Sequence, residues 1–222
     1  MSSRSVSIPT REPKRPAPRP AEYHDPLHAT DRQSVARHER RYREAIRLLR
    51  AAHLPAGTIL DCACGTGYGT AMLAKAFKAR SAIGVDRNMG ALATARARYR
   101  LDNVAFYEMS IRQAGAWLLG LKPLAAVVCI ETLEHLSIDQ QPVWLQRAYD
   151  ALEPGGALVV MCPVRRGKHK ALNPWHLHEP TVGELGEMLL TLGGELTMGP
   201  PDGYLSTAGA KAWQATATVR RT

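Results

Sequence analysis

Two stretches of this 222-residue chain place reactive side chains at short, fixed spacing. The first is Asp61-Cys62-Ala63-Cys64-Gly65-Thr66-Gly67-Tyr68-Gly69, with Asp86 closing the next apolar run. Small residues in a turn let the backbone approach a ligand closely, and the first N–H groups of a following helix have no partner within the helix. An acid at the end of a second strand can accept hydrogen bonds from two ribose hydroxyls. That combination is suited to binding a nucleoside. The second stretch is Glu131-Thr132-Leu133-Glu134-His135-Leu136, with His176 and His178 further on in Asn173-Pro174-Trp175-His176-Leu177-His178-Glu179-Pro180-Thr181. Such carboxylates and imidazoles can take a proton from a hydroxyl, hold a hard or borderline cation, or brace the loop and helix that follow.

The elements around them must bring the two stretches together. Thr58-Ile59-Leu60 leads into Asp61, and Ala82-Ile83-Gly84-Val85 leads into Asp86. Apolar runs predict strands at 58–63, 81–86, 103–108, 124–130, 156–162, 195–199 and 212–220. Helical periodicity predicts helices at 67–79, 88–100, 111–119, 138–152 and 181–192, preceded by one from Thr30 to Ala52. Alternating strands and helices call for a parallel sheet with right-handed crossovers. The last two strands are joined by Pro200-Pro201-Asp202-Gly203, with no crossover helix, so they should form an antiparallel hairpin. In open sheets of this kind ligands bind beyond the carboxyl ends of the strands, where the strand order reverses.

Asp61-x-Ala63-x-Gly65-x-Gly67 resembles the acid-x-Gly-x-Gly-x-Gly motif of the class I S-adenosylmethionine-dependent methyltransferases. Ala63 stands for the first glycine, and the turn should survive unless that residue needs a positive φ. The resemblance covers residues 34–222. It implies a Rossmann-like α/β fold, with a seven-stranded sheet ordered 3-2-1-4-5-7-6, strand 7 antiparallel and helices on both faces. It also implies S-adenosyl-L-methionine as cofactor. Asp61, Ala63, Cys64, Gly65 and Gly67 would face the methionine half, Asp86 the ribose, and Arg87 or Asn88 the adenine. Relatives often carry an acid at the end of the third strand; here Met109 would cover the adenine face and Ser110 would accept one hydrogen bond. Ile130 and Glu131 would line the cofactor at the end of the fourth strand. Upstream, His38-Glu39-Arg40-Arg41-Tyr42 is similar to a His-x-x-Arg-Tyr segment of a glycan-associated subgroup, in which Tyr42 and Arg41 would reach the methionine carboxylate.

Glu-x-x-Glu-His is similar to a motif of ubiquinone-pathway O-methyltransferases and of small-RNA 3′-end 2′-O-methyltransferases, the latter with two Glu and two His on a divalent metal. By that resemblance Glu131, Glu134, His135 and His176 would hold Mg²⁺ or Mn²⁺, with His178 in reserve for His176. Without metal, His135 would be the general base beside Glu131. A purely structural role for these residues is the third reading.

Bulk properties narrow the function classes. The net charge is +9, and residues 1–50 hold 12 Lys/Arg against 6 Asp/Glu. Residues 1–20 carry five prolines and five Lys/Arg against one acid, so 1–33 reads as a basic arm, extended or disordered when free, ahead of the domain at 34–222. Arg165, Arg166, Lys168, His169 and Lys170 lie at the predicted mouth of the site. Both segments favour an anionic partner, or are solvated surface. Cys62, Cys64, Cys129 and Cys162 fall in predicted core strands without Cys-x-x-Cys spacing, and read as buried free thiols. No apolar run reaches the roughly 18 residues of a transmembrane helix, and Met1-Ser2-Ser3-Arg4 begins no secretory signal, so a cytoplasmic protein is expected. Three functions follow from the resemblance. One is O-methylation of a small molecule, sugar or glycan, with an anionic acceptor. Another is ribose 2′-O methylation of nucleic acid through residues 1–20 and 165–170. The last is a non-catalytic protein on the same scaffold. No Asp/Asn-Pro-Pro-Tyr tetrapeptide follows the fourth strand, and Cys162-Pro163 reverses the Pro-Cys of cytosine C5 enzymes.

Overall fold

A computed structural model describes residues 32–78, 80–111, 123–165, 176–199, 202–205 and 211–222. The basic arm to residue 31, most of the helix expected at 111–119 and most of the basic loop at 165–170 lie outside the described residues. The helices are α1 (Arg32–Ala51), α2 (Tyr68–Ala76), α3 (Met89–Arg98), α4 (Gln140–Asp150) and α5 (Val182–Leu190). The strands are β1 (Thr58–Cys62), β2 (Ala82–Asp86), β3 (Val104–Glu108), β4 (Leu124–Ile130), β5 (Leu152–Val164), β6 (Glu195–Met198), β7 (Asp202–Leu205) and β8 (Lys211–Arg220).

The sheet runs β3-β2-β1-β4-β5-β8-β6, parallel from β3 to β5, with β8 antiparallel to β5 and β6. With β8 as the expected seventh strand, this is the order 3-2-1-4-5-7-6. One short strand is additional. β7 falls where sequence patterning placed a loop, and it pairs with Lys211–Gln214 of β8, beyond the stretch Ala217–Arg220 covered by β6. β6 is too short for the ten-residue β8, so β7 takes up the backbone groups that β6 leaves along that edge.

Both faces of the sheet are covered, which explains why β4 reads as an unbroken apolar run with all seven residues buried. Side chains alternate: Ile59, Ala126, Val128 and Ile130 pack with α1 and α2, while Leu60, Val127 and Cys129 pack with α4 and α5. A smaller cluster of Cys64, Leu92, Ala95 and Phe106 seats α3 on β3. Helix starts are fixed locally. Asn88 caps α3 by accepting from Ala91 N–H, and Thr181 and Glu184 form a reciprocal capping box on α5. Among the described residues no helix is long and apolar enough to cross a membrane.

The reversal of strand order lies between β1 and β4. α1 crosses α2 there at very short range: a methyl group added at Gly69 would sit 1.9 Å from the Tyr42 ring. Gly69→Ala should therefore destabilise the protein by about 2–3 kcal/mol, read as a lowered urea midpoint. A change below about 0.5 kcal/mol, the scale of an innocuous surface substitution, would contradict this seating of α1.

Candidate active site

The turn after β1 is built from left-handed backbone. Ala63, Gly65 and Gly67 have φ of 57°, 56° and 82°. Positive φ is easy for glycine, whereas for Ala63 it costs about 1–2 kcal/mol, so the turn survives the substitution at the expense of local strain. The two glycines do different work. A Cβ at Gly65 would meet nothing within 4 Å, whereas one at Gly67 would lie 2.6–2.7 Å from Ala95 and Phe106. Gly65 thus faces open space and Gly67 is packed onto α3 and β3. The turn is tied to β2 by Cys64 N–H donating to Val85 C=O at 2.9 Å and by Gly65 N–H donating to Asp86 Oδ2 at 2.9 Å. Asn88 N–H donates to Asp86 Oδ1 at 2.8 Å. Each Asp86 oxygen therefore has one N–H donor and a remaining lone pair with which to accept from a ligand hydroxyl.

Asp61 is fully buried at the end of β1. Thr70, in the first turn of α2, donates its hydroxyl to Asp61 Oδ2 at 2.6 Å. Tyr42 of α1 donates to both carboxylate oxygens, at 3.1 and 3.3 Å. Burial drives the carboxyl up to about 7, against the opposing pull of the two hydroxyls, and the Asp86 charge adds to the rise. Tyr42, expected at a methionine carboxylate, has its hydroxyl on Asp61 and its ring against Gly69 and Tyr68.

Along β3, Glu108 is the register partner of Asp86, and Met109 N–H donates to Asp86 C=O at 2.8 Å. Met109 and Ser110 are half-buried beside the acid, and Arg87 is exposed. Ile130, 6% exposed, ends β4.

The next residue, Glu131, has φ of 53°, a left-handed conformation that is strained for a non-glycine residue. Its backbone is pinned by Glu131 N–H to Met161 C=O at 2.8 Å, and its carboxylate lies 3.7 Å from the guanidinium of the buried Arg41. Thr132 donates its hydroxyl to Ile130 C=O at 2.8 Å. A 3₁₀ turn, Leu133–His135, then places Glu134 inward, 1% exposed. Among the described residues neither Glu134 oxygen has a hydrogen-bond partner. Burial first, and the Glu131 charge second, hold its carboxyl well above the usual carboxylate range.

His176 Nε2 lies 3.8 Å from Glu134 Oε1, and the His176 and His135 rings meet edge to face at 5.2 Å. The ligand atoms of Glu134, His135 and His176 all fall within 4.8 Å of one another. Glu131, grouped with them on sequence, is not in this cluster. His178 is 3.9 Å from Glu184 instead. The segment carrying His176 is fastened to the turn. Leu177 and His178 N–H donate to Glu134 C=O at 2.8 and 3.2 Å, and the Gln141 amide donates to Leu133 and His178 carbonyls at 3.1 and 2.8 Å. Thr70, Gln141 and Glu179 were not legible as site residues, since each acts only through a tertiary contact that no local spacing encodes.

Residues 59–156 match the family described as Methyltransferase domain. A probable S-adenosylmethionine-dependent methyltransferase of Mycolicibacterium smegmatis is 35% identical over 155 residues, which is 66% of this chain and 56% of that protein. A trans-aconitate 2-methyltransferase of Variovorax paradoxus is 28% identical over 170 residues, 70% of this chain and 61% of its own length. The chain spans less than two thirds of the length of either relative. Among solved structures, the N-terminal domain of EvdMO1 with S-adenosylhomocysteine bound superposes with a TM-score of 0.62 at 15% identity, covering 82% of this chain and 81% of that one.

The raised carboxyl of Asp61 has a stability signature. The folded state keeps a proton on Asp61 between the ordinary carboxylate value and about 7, where the unfolded chain has released it. That contribution to stability is complete at low pH and is lost as pH rises to about 7, at up to about 1.4 kcal/mol per pH unit. Asp61→Asn cannot titrate there. The stability of wild type minus that of the variant should fall by a few kcal/mol from pH 4 to pH 7, on the order of the linkage of one buried carboxyl, and stay level above. Parallel denaturation curves across that range would refute it.

Proposed function

We propose that the chain carries a class I S-adenosylmethionine-dependent methyltransferase domain and transfers the methyl group to a hydroxyl of an anionic small molecule, sugar or glycan. The observation that carries the nucleoside half is the open backbone cradle at Gly65, bounded by an Asp86 carboxylate with spare acceptor capacity. These residues fit the cofactor: Asp86 would accept from the ribose, Met109 and Ser110 would meet the adenine, and Ala63, Cys64 and Ile130 would line the sulfonium side beside Asp61. S-adenosylmethionine supplies an already activated methyl group. The chain's own contribution is to align the acceptor and remove the hydroxyl proton.

Glu134, His135 and His176 support the hydroxyl part of this reading, because they gather where β4 ends. The run of Arg165, Arg166, Lys168, His169 and Lys170 in the sequence favours an acceptor with negative charge, as does the relative named for trans-aconitate. A ribose 2′-hydroxyl meets the same chemical requirement, with residues 1–20 as a further basic contact.

Titration calorimetry with S-adenosylhomocysteine tests the cofactor site. Wild type should bind in the micromolar range, and Asp86→Ala, which loses two acceptor sites for the ribose, should bind at least about tenfold more weakly. Equal affinities would remove Asp86 from the site, and no binding by wild type would overturn the reading.

A specific observation favours a cation within the same site. A buried carboxylate without partners is costly, and two imidazoles stand beside it. Glu134, His135 and His176 would hold Mg²⁺ or Mn²⁺; such an ion supplies charge that orients and acidifies a hydroxyl. Mn²⁺ titration followed by electron paramagnetic resonance should give one bound ion in wild type and more than tenfold weaker binding in Glu134→Gln. Equal binding by both would leave a metal-free base.

A further inference from the structure

The segment from His176 to Pro180 is fixed in the backbone by the bonds from Leu177 and His178 to Glu134, by the Gln141 amide, and by Arg165 N–H donating to Pro180 C=O at 3.0 Å. What those bonds leave open is the rotation and tautomer of the His176 ring. Glu179, three residues on and 9% exposed, lies with Oε1 2.5 Å from His176 Nδ1. An ionised carboxylate only accepts, so the proton of that bond belongs to Nδ1. In the neutral ring Nε2 is then the bare nitrogen, and it is the one that faces Glu134, at 3.8 Å.

We infer that Glu179 is a positioning residue, fixing His176 as the Nδ1–H tautomer with its Nε2 lone pair turned into the cluster of Glu134 and His135. The lone pair is what either a cation or an acceptor proton requires, so Glu179 acts through His176 without touching either. A carboxylate on the far nitrogen also makes the ring a stronger donor and holds its plane. The pattern Glu134–His176–Glu179 joins a 3₁₀ turn after β4 to the segment before α5, two parts of the chain that sequence spacing does not relate.

The cation arm of this inference rests on the cation reading above; the tautomer arm does not. Long-range ¹H–¹⁵N spectra of the full chain with ¹⁵N-labelled histidine, assigned with His176→Gln, read the tautomer directly. Wild type at pH 8 should show Nδ1 protonated and Nε2 bare. Glu179→Gln, whose amide oxygen accepts the same bond, should keep that tautomer, and Glu179→Met, of similar volume but without an acceptor, should lose it. Mn²⁺ affinity should fall on the order of 10–100-fold in Glu179→Met and less in Glu179→Gln. S-adenosylhomocysteine affinity should stay within about twofold in both, which also reports that each is folded; Glu179→Ala replaces the Met variant if that one is not. An Nε2–H tautomer in wild type, or a tautomer unaltered in Glu179→Met, would overturn the inference. If wild type binds no Mn²⁺ the cation reading fails, and the tautomers alone decide the role of Glu179.

Discussion

The Asp61 carboxylate is the fixed point of this fold. It sits at the end of the central strand β1, out of reach of water, and hydroxyls from two different helices converge on it: Tyr42 of α1 and Thr70 of α2. A buried acid is tolerated only where it is neutral or well bonded, so the two helices cannot move off it without stranding a polar group. That constraint sets the approach of α1 to Gly69, and hence the path of the backbone from Asp61 to Gly65. It also places Arg41, the residue before Tyr42, against Glu131 just beyond the end of the neighbouring strand β4. The first strand, the covering helix and the end of the fourth strand are thereby coupled through adjacent residues of α1.

Strain is concentrated at the same place. Among the described residues three non-glycines have positive φ, and two of them, Ala63 and Glu131, follow the carboxyl ends of β1 and β4. These are the strands on either side of the order reversal. Each such conformation costs about 1–3 kcal/mol and persists only when its surroundings over-determine it. Here they do: Cys64 is tied to Val85 and Glu131 to Met161 by backbone bonds at 2.8–2.9 Å. Strain held in this way leaves open space at Gly65 and accompanies the left-handed turn at Glu131, the geometry that the proposed cofactor site uses. The nearly closed packing at Gly67 and Gly69 shows that the openness at Gly65 is local.

The strand order came from the resemblance, whereas the alternation of strands and helices and the glycine turn were legible because they depend on periodicity and on small residues at fixed offsets. Asp61, Asp86 and the Glu131–His135 stretch could be placed at strand ends for the same reason. Less legible was how a cluster divides. Four acids and imidazoles were grouped by resemblance, yet Glu131 turns to Arg41 while Glu134, His135 and His176 close up together. The choice depends on the positive φ of Glu131 and on the side chain of Arg41, neither of which a linear pattern reports. The β7 strand was read as loop because Pro200-Pro201 precedes it, whereas strand formation there answers to the length of β8.

The division of that cluster bears on its chemistry. An Arg41-facing Glu131 has a positive charge of the protein beside it, 3.7 Å away. Glu134 also feels the Arg41 charge, but burial and the Glu131 charge outweigh it, and its surroundings offer a choice between protonation and a positive ligand. With the carboxyl neutral, the pair with His176 would hold a proton at the end of β4; with it ionised, the three residues would offer a cation three ligand atoms within 4.8 Å of one another. The two states differ by one proton on a group that the fold has enclosed. A purely structural brace could be made by a glutamine or an apolar residue of the same size, without a buried carboxyl that lacks hydrogen bonds among the described residues. An ionisable group enclosed at this position, with two imidazoles beside it and next to the reversal of strand order, is the physical basis on which the proposed chemistry of the turn after β4 rests.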